Sequence, residues 1–371
     1  MSSPTLHLVQ GIFVTCDLGE RVLKSRDEPV HVYQVLRPSG MRSRLDVEAA
    51  SGLTPLVGRD HELEILDDRW AQVREGWGQA MLVCGEAGIG KSRLMQAFRE
   101  RLVEHAHTWL ECRCSPYTQE SALQPVLELQ RQALGFTVED AAALKLRRLE
   151  AGIEAAGFDL AQTLPLMAGF HSIELPEGYE APALGPEGRR KQTLELLTEW
   201  LLRLGREQPV VLLMEDLHWV DPSTQELLGT ILERIVREPV LLLMTYRPDF
   251  QPPWGARSHL TPVLLARLTR AQMGDLVRKA ARERDLHEAW VGEIVRRADG
   301  VPLFGEELTR TVVESNPEPP RGGEAPAFRI PETLQDLLMA RLDALGPVKE
   351  LAQLGAVLGR EFSYDLLLKV S

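Results

Sequence analysis

Eight residues constrain this chain more than any others: Gly85-Glu86-Ala87-Gly88-Ile89-Gly90-Lys91-Ser92, which follow the pattern G-x-x-x-x-G-K-[ST]. Their flanks fix the context. Ala80 to Cys84 form a continuous apolar run that ends at the first glycine, as a buried parallel strand does. Leu94, Phe98 and Leu102 then recur every four residues, which gives the following segment one apolar helical face. Strand, glycine loop and helix in that order predict a turn whose backbone N–H groups converge on an anion, backed by the partial positive charge of the helix N-terminus. In such a loop Lys91 neutralises phosphate charge and Ser92 ligates Mg²⁺. A glycine turn that only reversed the chain would leave the Lys-Ser pair without a purpose.

A phosphate loop needs an acid beside it, and "VVLLMEDLHWVDPST" supplies two. Val210 to Met214 read as a second buried strand ending at Glu215 and Asp216, and ligands bind α/β sheets at the carboxyl ends of their strands. Asp221 and Pro222 read as the cap and first residue of the next helix. A third strand, "VLLLMTYR", ends at Arg247; this arginine either reaches a γ-phosphate or leaves the sheet for solvent. The expected fold is α/β: a P-loop NTPase three-layer αβα core on a parallel sheet.

The rest of the composition restricts what such a core is used for. A formal net charge of −12 over 371 residues argues against a protein that coats DNA or RNA, since neutralising phosphates takes clustered cations. No apolar run approaches the ~18 residues of a membrane helix. The N-terminus lacks a secretory signal, and the four cysteines follow no disulfide-scaffold spacing. These features predict a cytoplasmic protein. His105 and His107 lie near Cys112 and Cys114, but the two cysteines share one face of a strand and lack zinc-ligand spacing, so core packing is the expected role. His218 and Trp219 either line the site or pack the strand end.

Residues 37 to 54, with Pro38, Gly40 and Gly52, read as a linker, and the core runs from 55 to about 270. More than ninety residues of mainly helical pattern separate "TWLECRC" from the acidic strand. That is too long for a structureless loop, so a helical insertion is expected. A helical lid follows over 271–315. The stretch "NPEPPRGGEAPAF" is a linker over 316–329. Pro331 then opens a segment carrying Leu334, Leu337, Leu338, Leu342 and Leu345, and with "AVLGREF" it suggests the start of a winged-helix domain over 330–371, which the chain ends too early to complete.

Five motifs in order, "LTPLVGRDHELEIL", the glycine loop, "MEDLHWVDPST", "LLLMTYRPDF" and "ADGVPLFGEEL", resemble the STAND-type signalling ATPases of the AAA superfamily, an origin-recognition-like group. The likeness is nearest to the modules that follow class III adenylate or guanylate cyclase domains in bacteria, and it spans about Leu53 to Phe362. The resemblance, rather than any residue pattern, implies ATP as the nucleotide. It places Gly58, Arg59 and Glu62 on an N-terminal motif near base and phosphates. Gly85, Gly88, Gly90, Lys91 and Ser92 fall on the phosphate loop, and Glu215 on the acid that holds Mg²⁺ with Ser92. Asp216 falls on the acid that polarises water, Arg247 on the γ-phosphate sensor, and Pro302 on a lid proline beside the nucleotide. The magnesium acid is most often Asp in P-loop proteins; Glu215 in its place predicts slow turnover. Residues 1–36, through "DLGERVLK" and "PVHVYQVL", resemble the closing β-segment of a class III cyclase domain, with Ser25 where that tail usually has glycine. The metal-binding aspartates of such a domain would lie before Met1, so no cyclase activity is expected from this chain alone.

The expected function is an ATP-binding, slowly hydrolysing signalling switch. Its partners would be ATP or ADP and other domains or proteins of a signalling system, with neither direct nucleic-acid nor membrane binding; a nucleotide-dependent oligomer is compatible with this. The alternatives are a DNA-associated AAA ATPase of the origin-recognition or loader type, and a scaffold stabilised by its nucleotide. A small-molecule kinase lacks a recognisable acceptor site. Substituting Lys91→Ala removes charge-assisted bonds that contribute ~1.5 to 3 kcal/mol. ATP affinity measured by calorimetry is expected to fall roughly 10- to 150-fold, and unchanged affinity in a folded variant would refute the loop assignment.

Overall fold

The computed structural model describes residues 13–21, 30–38, 53–137, 140–175, 184–282, 284 and 286–315, with isolated positions 339, 353 and 354. The chain divides into two compact units, Met1–Leu56 and Val57–Ser371. In the first, β1 (Phe13–Arg21) and β2 (Val30–Pro38) pair antiparallel. The register slips between Val14 and Thr15 and again between Asp17 and Glu20. At the second slip Gly19 adopts φ +71°, a left-handed conformation that costs glycine little. The Gly19 N–H donates to the Asp17 carboxylate at 2.7 Å, and His31 Nε2 meets the same oxygen at 2.7 Å. First the backbone bond and then His31 hold the Asp17 carboxyl below its usual range. β2 runs to Pro38, two residues into the segment expected as linker.

The second unit is built on five parallel strands: β3 (Gln79–Cys84), β4 (Thr108–Arg113), β5 (Val210–Glu215), β6 (Val240–Tyr246) and β7 (Leu260–Leu264). Their spatial order is β4-β5-β6-β3-β7, with every pairing parallel. The strand that feeds the glycine loop therefore lies between β6 and β7, two strands that come much later in the chain. β5 is buried along its whole length, and β6 up to Tyr246, as strands covered on both faces must be. β7 was not apparent in the sequence. Pro262 interrupts its apolar pattern, and the strand tolerates a proline because it lies at an edge.

Helix α1 (Asp60–Arg74) enters the sheet, and α2 (Lys91–Arg101) leaves the loop with Leu94 and Phe98 fully buried. Among the described residues the expected insertion holds four helices: α3 (Gln124–Ala133), α4 (Ala142–Ala155), α5 (Leu160–Phe170) and α6 (Pro186–Glu207). After β5, α7 (Pro222–Arg234) is capped by Asp221, whose side chain accepts the N–H groups of Ser223 and Thr224 at 3.0 Å. The same carboxylate accepts the Leu123 N–H at 3.1 Å, which fixes the start of the insertion to the end of β5. The lid consists of α8 (Arg270–Ala280), α9 (Glu288–Ala298) and α10 (Pro302–Ser315) around their own core of Met273, Val277, Trp290, Ile294 and Leu308. A capping box between Thr269 and Gln272 starts α8 one residue before the expected boundary. The 316–329 linker and the winged-helix start lie outside the described residues.

One buried polar pair sits inside the insertion. The His171 ring, between Phe136 and Phe170, meets the Gln130 side-chain oxygen through Nε2 at 3.1 Å. Burial, assisted by the nearby Arg131 charge, pushes the His171 pKa down from 6.5 to about 4. The folded chain therefore binds this proton less readily than the unfolded one, and stability falls with acidification between pH 6.5 and 4. At about 1.4 kcal/mol per pKa unit, the loss is at most ~3.5 kcal/mol. Denaturant titrations of wild type and His171→Leu over this window are expected to differ in slope, with the wild type losing more stability on acidification; parallel profiles would refute the assignment.

Candidate nucleotide site

The sheet brings the carboxyl ends of β3, β4, β5 and β6 to one edge, and the loop from Gly85 to Ser92 spans it. Two of its glycines are required by the backbone: Gly88 has φ +75° and Gly90 φ +100°. They are crowded differently. A side chain on Gly88 would press on Leu303 of the lid at 3.1 Å, whereas one on Gly90 would meet no atom within 4 Å. The open face beyond Gly90 lies at the N-terminus of α2, where the first N–H groups have no intrahelical acceptor. That is the cradle a phosphate needs.

Lys91 is 8% exposed. Its ammonium donates to the loop's own carbonyls, Gly85 O at 2.8 Å and Glu86 O at 3.1 Å. Burial pulls its pKa below the ordinary lysine value; the Asp216 carboxylate opposes that and Arg247 adds to it. The ammonium thus lies between its own loop, an acid from β5 and a cation from β6.

Ser92 and Glu215 meet directly, the hydroxyl donating to Oε1 at 2.5 Å. Glu215 is 2% exposed, and an ionised carboxylate so buried requires a partner. Arg113, at the end of β4, supplies it: Nε donates to Oε2 at 2.9 Å, and Nη2 bonds the same oxygen. Sequence reasoning missed Arg113, although asking which cation neutralises Glu215 could have found it in the strand "TWLECR". A serine hydroxyl beside a carboxylate is an oxygen donor pair suited to a hard divalent cation, so Ser92 and Glu215 fit Mg²⁺.

Asp216 follows Glu215 in the left-handed region at φ 60° and ψ 45°, which non-glycine residues rarely adopt. Its N–H donates to the Thr245 hydroxyl of β6 at 3.1 Å, and this contact holds the turn. Arg247 leaves β6 and lies over the Trp219 ring, 5.0 Å from its centroid. Trp219 thus lies under the arginine and also packs against the core of the sheet. The His218 ring lies against Trp219, tilted by 43° with centroids 4.2 Å apart, and burial lowers its pKa.

Arg59 is buried and fully engaged: it donates to Glu62 at 3.1 Å, to Ile89 O in the loop at 3.1 Å and to Ala266 O after β7 at 2.7 Å. It braces the loop from below. Pro302 opens α10, and the next N–H, that of Leu303, donates to Gly88 O at 3.2 Å. Arg267 adds a second strap, absent from the sequence reading, by pairing with Glu86 of the loop at 2.8 Å and with Asp299 before α10. Cys112 and Cys114 are buried, and burial pushes the Cys114 thiol up to about 12, so at neutral pH it is a protonated core side chain.

A family model described as AAA ATPase domain matches residues 55–243, more than half of the chain. The chain belongs to the AAA ATPase domain family. It is 28% identical over 383 residues to an uncharacterized protein of Rhizobium meliloti (strain 1021), an alignment that takes in 99% of this chain and 36% of that protein. The AAA chain thus spans little more than a third of its relative's length. Among solved structures it is similar to a chain of Drosophila ORC bound to DNA, with TM-score 0.44, 13% identity, and coverage of 89% of this chain and 71% of that one. It is also similar to a RuvB variant of Thermotoga maritima, with TM-score 0.37, 16% identity and coverage of 82% and 83%. Among the described residues of this AAA module, no helix is long and apolar enough to cross a membrane.

Arg113 gives a direct test of the electrostatics. Removing one partner of a buried ion pair typically costs ~3–5 kcal/mol. Arg113 is partly open to solvent, so Arg113→Met is expected to destabilise the nucleotide-free protein by about 2–3 kcal/mol in chemical denaturation. Mg²⁺-nucleotide is expected to reduce the deficit, because the cation neutralises the stranded Glu215. A deficit equal with and without Mg²⁺-nucleotide would show that the ion binds elsewhere.

Proposed function

We propose that this chain binds ATP at the Gly85–Ser92 loop, hydrolyses it slowly, and uses the identity of the bound nucleotide to set the position of its lid, as a switch within a larger signalling protein. In this reading the loop N–H groups and Lys91 hold the phosphates. Ser92 and Glu215 hold Mg²⁺, whose charge would offset that of the β- and γ-phosphates. Asp216, held by its left-handed backbone near Lys91, orients the attacking water, and Arg247 on its Trp219 platform senses the γ-phosphate. The engagement of Glu215 by Arg113 supports slow turnover, because an acid already neutralised by a guanidinium attracts the cation less.

The observation that carries the switch reading is the bond from the Leu303 N–H to Gly88 O. The first turn of the lid's last helix rests on the phosphate loop itself, with Val301 and Leu303 packed over Gly88. A loop that rearranges around phosphates moves the group on which α10 is seated, and a nucleotide shifts such an equilibrium only by its differential affinity for the two states. Hydrogen exchange of the Leu303 amide is expected to differ between the ATP-bound and ADP-bound protein. Identical exchange would sink the switch reading and leave a nucleotide-stabilised scaffold. For Asp216→Asn, retained ATP binding with lost turnover is expected; normal turnover would assign the water to another group. The cyclase-linked setting suggested by residues 1–36 belongs to the same proposal and rests on resemblance.

A further inference from the structure

Arg113 and Glu215 are partners in the parallel register of β4 and β5, so their side chains leave adjacent strands, about 4.8 Å apart, side by side. Just past that pair the Cys114 N–H donates to Glu215 O at 2.9 Å, which ties the two strand ends together. The contact between the side chains is one-sided. Both guanidinium bonds, from Nε at 2.9 Å and from Nη2, fall on Oε2 of Glu215, while Oε1 accepts the Ser92 hydroxyl at 2.5 Å. The two oxygens of one carboxylate therefore have separate duties, and the one that meets the phosphate loop is Oε1.

A second carboxylate steadies the guanidinium. Glu111, two residues back on the same face of β4, lies 3.9 Å from Nη2. It also accepts the Trp109 Nε1–H at 3.3 Å and lies 3.8 Å from Arg99 of α2, so it is anchored in turn. A planar fork shared by two carboxylates keeps its orientation, and through it Glu215 keeps its own. That orientation bears on which cation the site accepts. Mg²⁺ demands a compact octahedral shell and takes oxygens singly, whereas Ca²⁺ takes roughly six to eight oxygens and readily accepts both from one carboxylate. We propose that Arg113 is a specificity-determining positioning residue: by occupying Oε2 it leaves Glu215 a one-oxygen donor beside Ser92, and so makes the site select Mg²⁺ over Ca²⁺. The inference rests on the assignment of Ser92 and Glu215 as the cation donors of the nucleotide site. It differs from charge neutralisation, because a guanidinium that only balanced Glu215 would weaken both metals alike.

The test measures binding of AMP-PNP, a non-hydrolysable ATP analogue, to the full chain by calorimetry in saturating Mg²⁺ or Ca²⁺, with EDTA as the cation-free reference. In the wild type Mg²⁺ is expected to tighten binding more than Ca²⁺ does. Replacing a residue that orients a metal ligand typically shifts metal affinity ~10- to 100-fold, so in Arg113→Met the preference is expected to shrink by about 10-fold, chiefly because Ca²⁺ gains. Arg113→Lys restores the positive charge without the fork; its preference is expected to stay narrowed while its stability in denaturant returns towards the wild type. A wild type that binds equally tightly with either cation, an Arg113→Met variant with the wild-type preference, or full recovery of the preference in Arg113→Lys would each overturn the inference and leave the nucleotide site in place. Were neither cation to tighten AMP-PNP binding to the wild type, the assignment of Ser92 and Glu215 would fail first, and this inference with it. If Arg113→Met does not fold, the lysine variant still decides the matter.

Discussion

The bond between the Ser92 hydroxyl and Glu215, extended by Arg113, is the point on which the site depends. It joins the first turn of α2 to the ends of β5 and β4, so three segments far apart in sequence share one buried carboxylate. Glu215 is almost wholly buried, and those donors satisfy both of its oxygens. Each neighbouring feature follows from that placement. The chain must turn away sharply after Glu215, which Asp216 does at a left-handed backbone position held by Thr245. The next residues then bring Trp219 under Arg247. The buried acid, the left-handed turn at Asp216 and the arginine platform are consecutive results of one strand ending where it does.

The loop and its two flanking elements could be read from the sequence because the chemistry there is local. A strand, glycines at fixed offsets and a lysine-serine pair lie within a dozen residues, and their geometry is set by backbone rules. The same holds for the Asp221–Pro222 cap, where a side chain and a fixed φ act on their own helix. What the sequence did not disclose was pairwise and distant. Arg113 has the same local appearance as any arginine ending a strand, and only strand order places it against Glu215. Arg267 is one of 35 arginines until the fold sets Glu86 and Asp299 on either side of it. β7 was hidden by Pro262, a residue that argues against a central strand and is harmless in an edge one.

Arg59 illustrates the difference between locating a residue and reading its contacts. Resemblance placed it near the nucleotide, and the structure places it beneath the loop, where its guanidinium is spent on Glu62 and on the carbonyls of Ile89 and Ala266. Its contribution there is stiffness. A planar fork donating to three rigid acceptors leaves the loop few alternative shapes, and a phosphate cradle requires that preorganisation. The lid meets the same loop from the other side through Gly88, so the glycine loop is braced below and covered above by groups that its own motif does not contain.

The position of β3 has a consequence for how the protein is made. This strand emerges early, yet its two neighbours in the sheet, β6 and β7, are completed only at Tyr246 and Leu264. At the ~5–20 residues per second of synthesis, the apolar segment before Gly85 waits on the order of ten seconds or more without its partners. The insertion helices can form meanwhile from local contacts, but the loop's supporting sheet cannot. Nucleotide competence therefore arrives late and all at once on the ribosome, and the nascent chain carries an unpaired hydrophobic strand that chaperones would be expected to shelter.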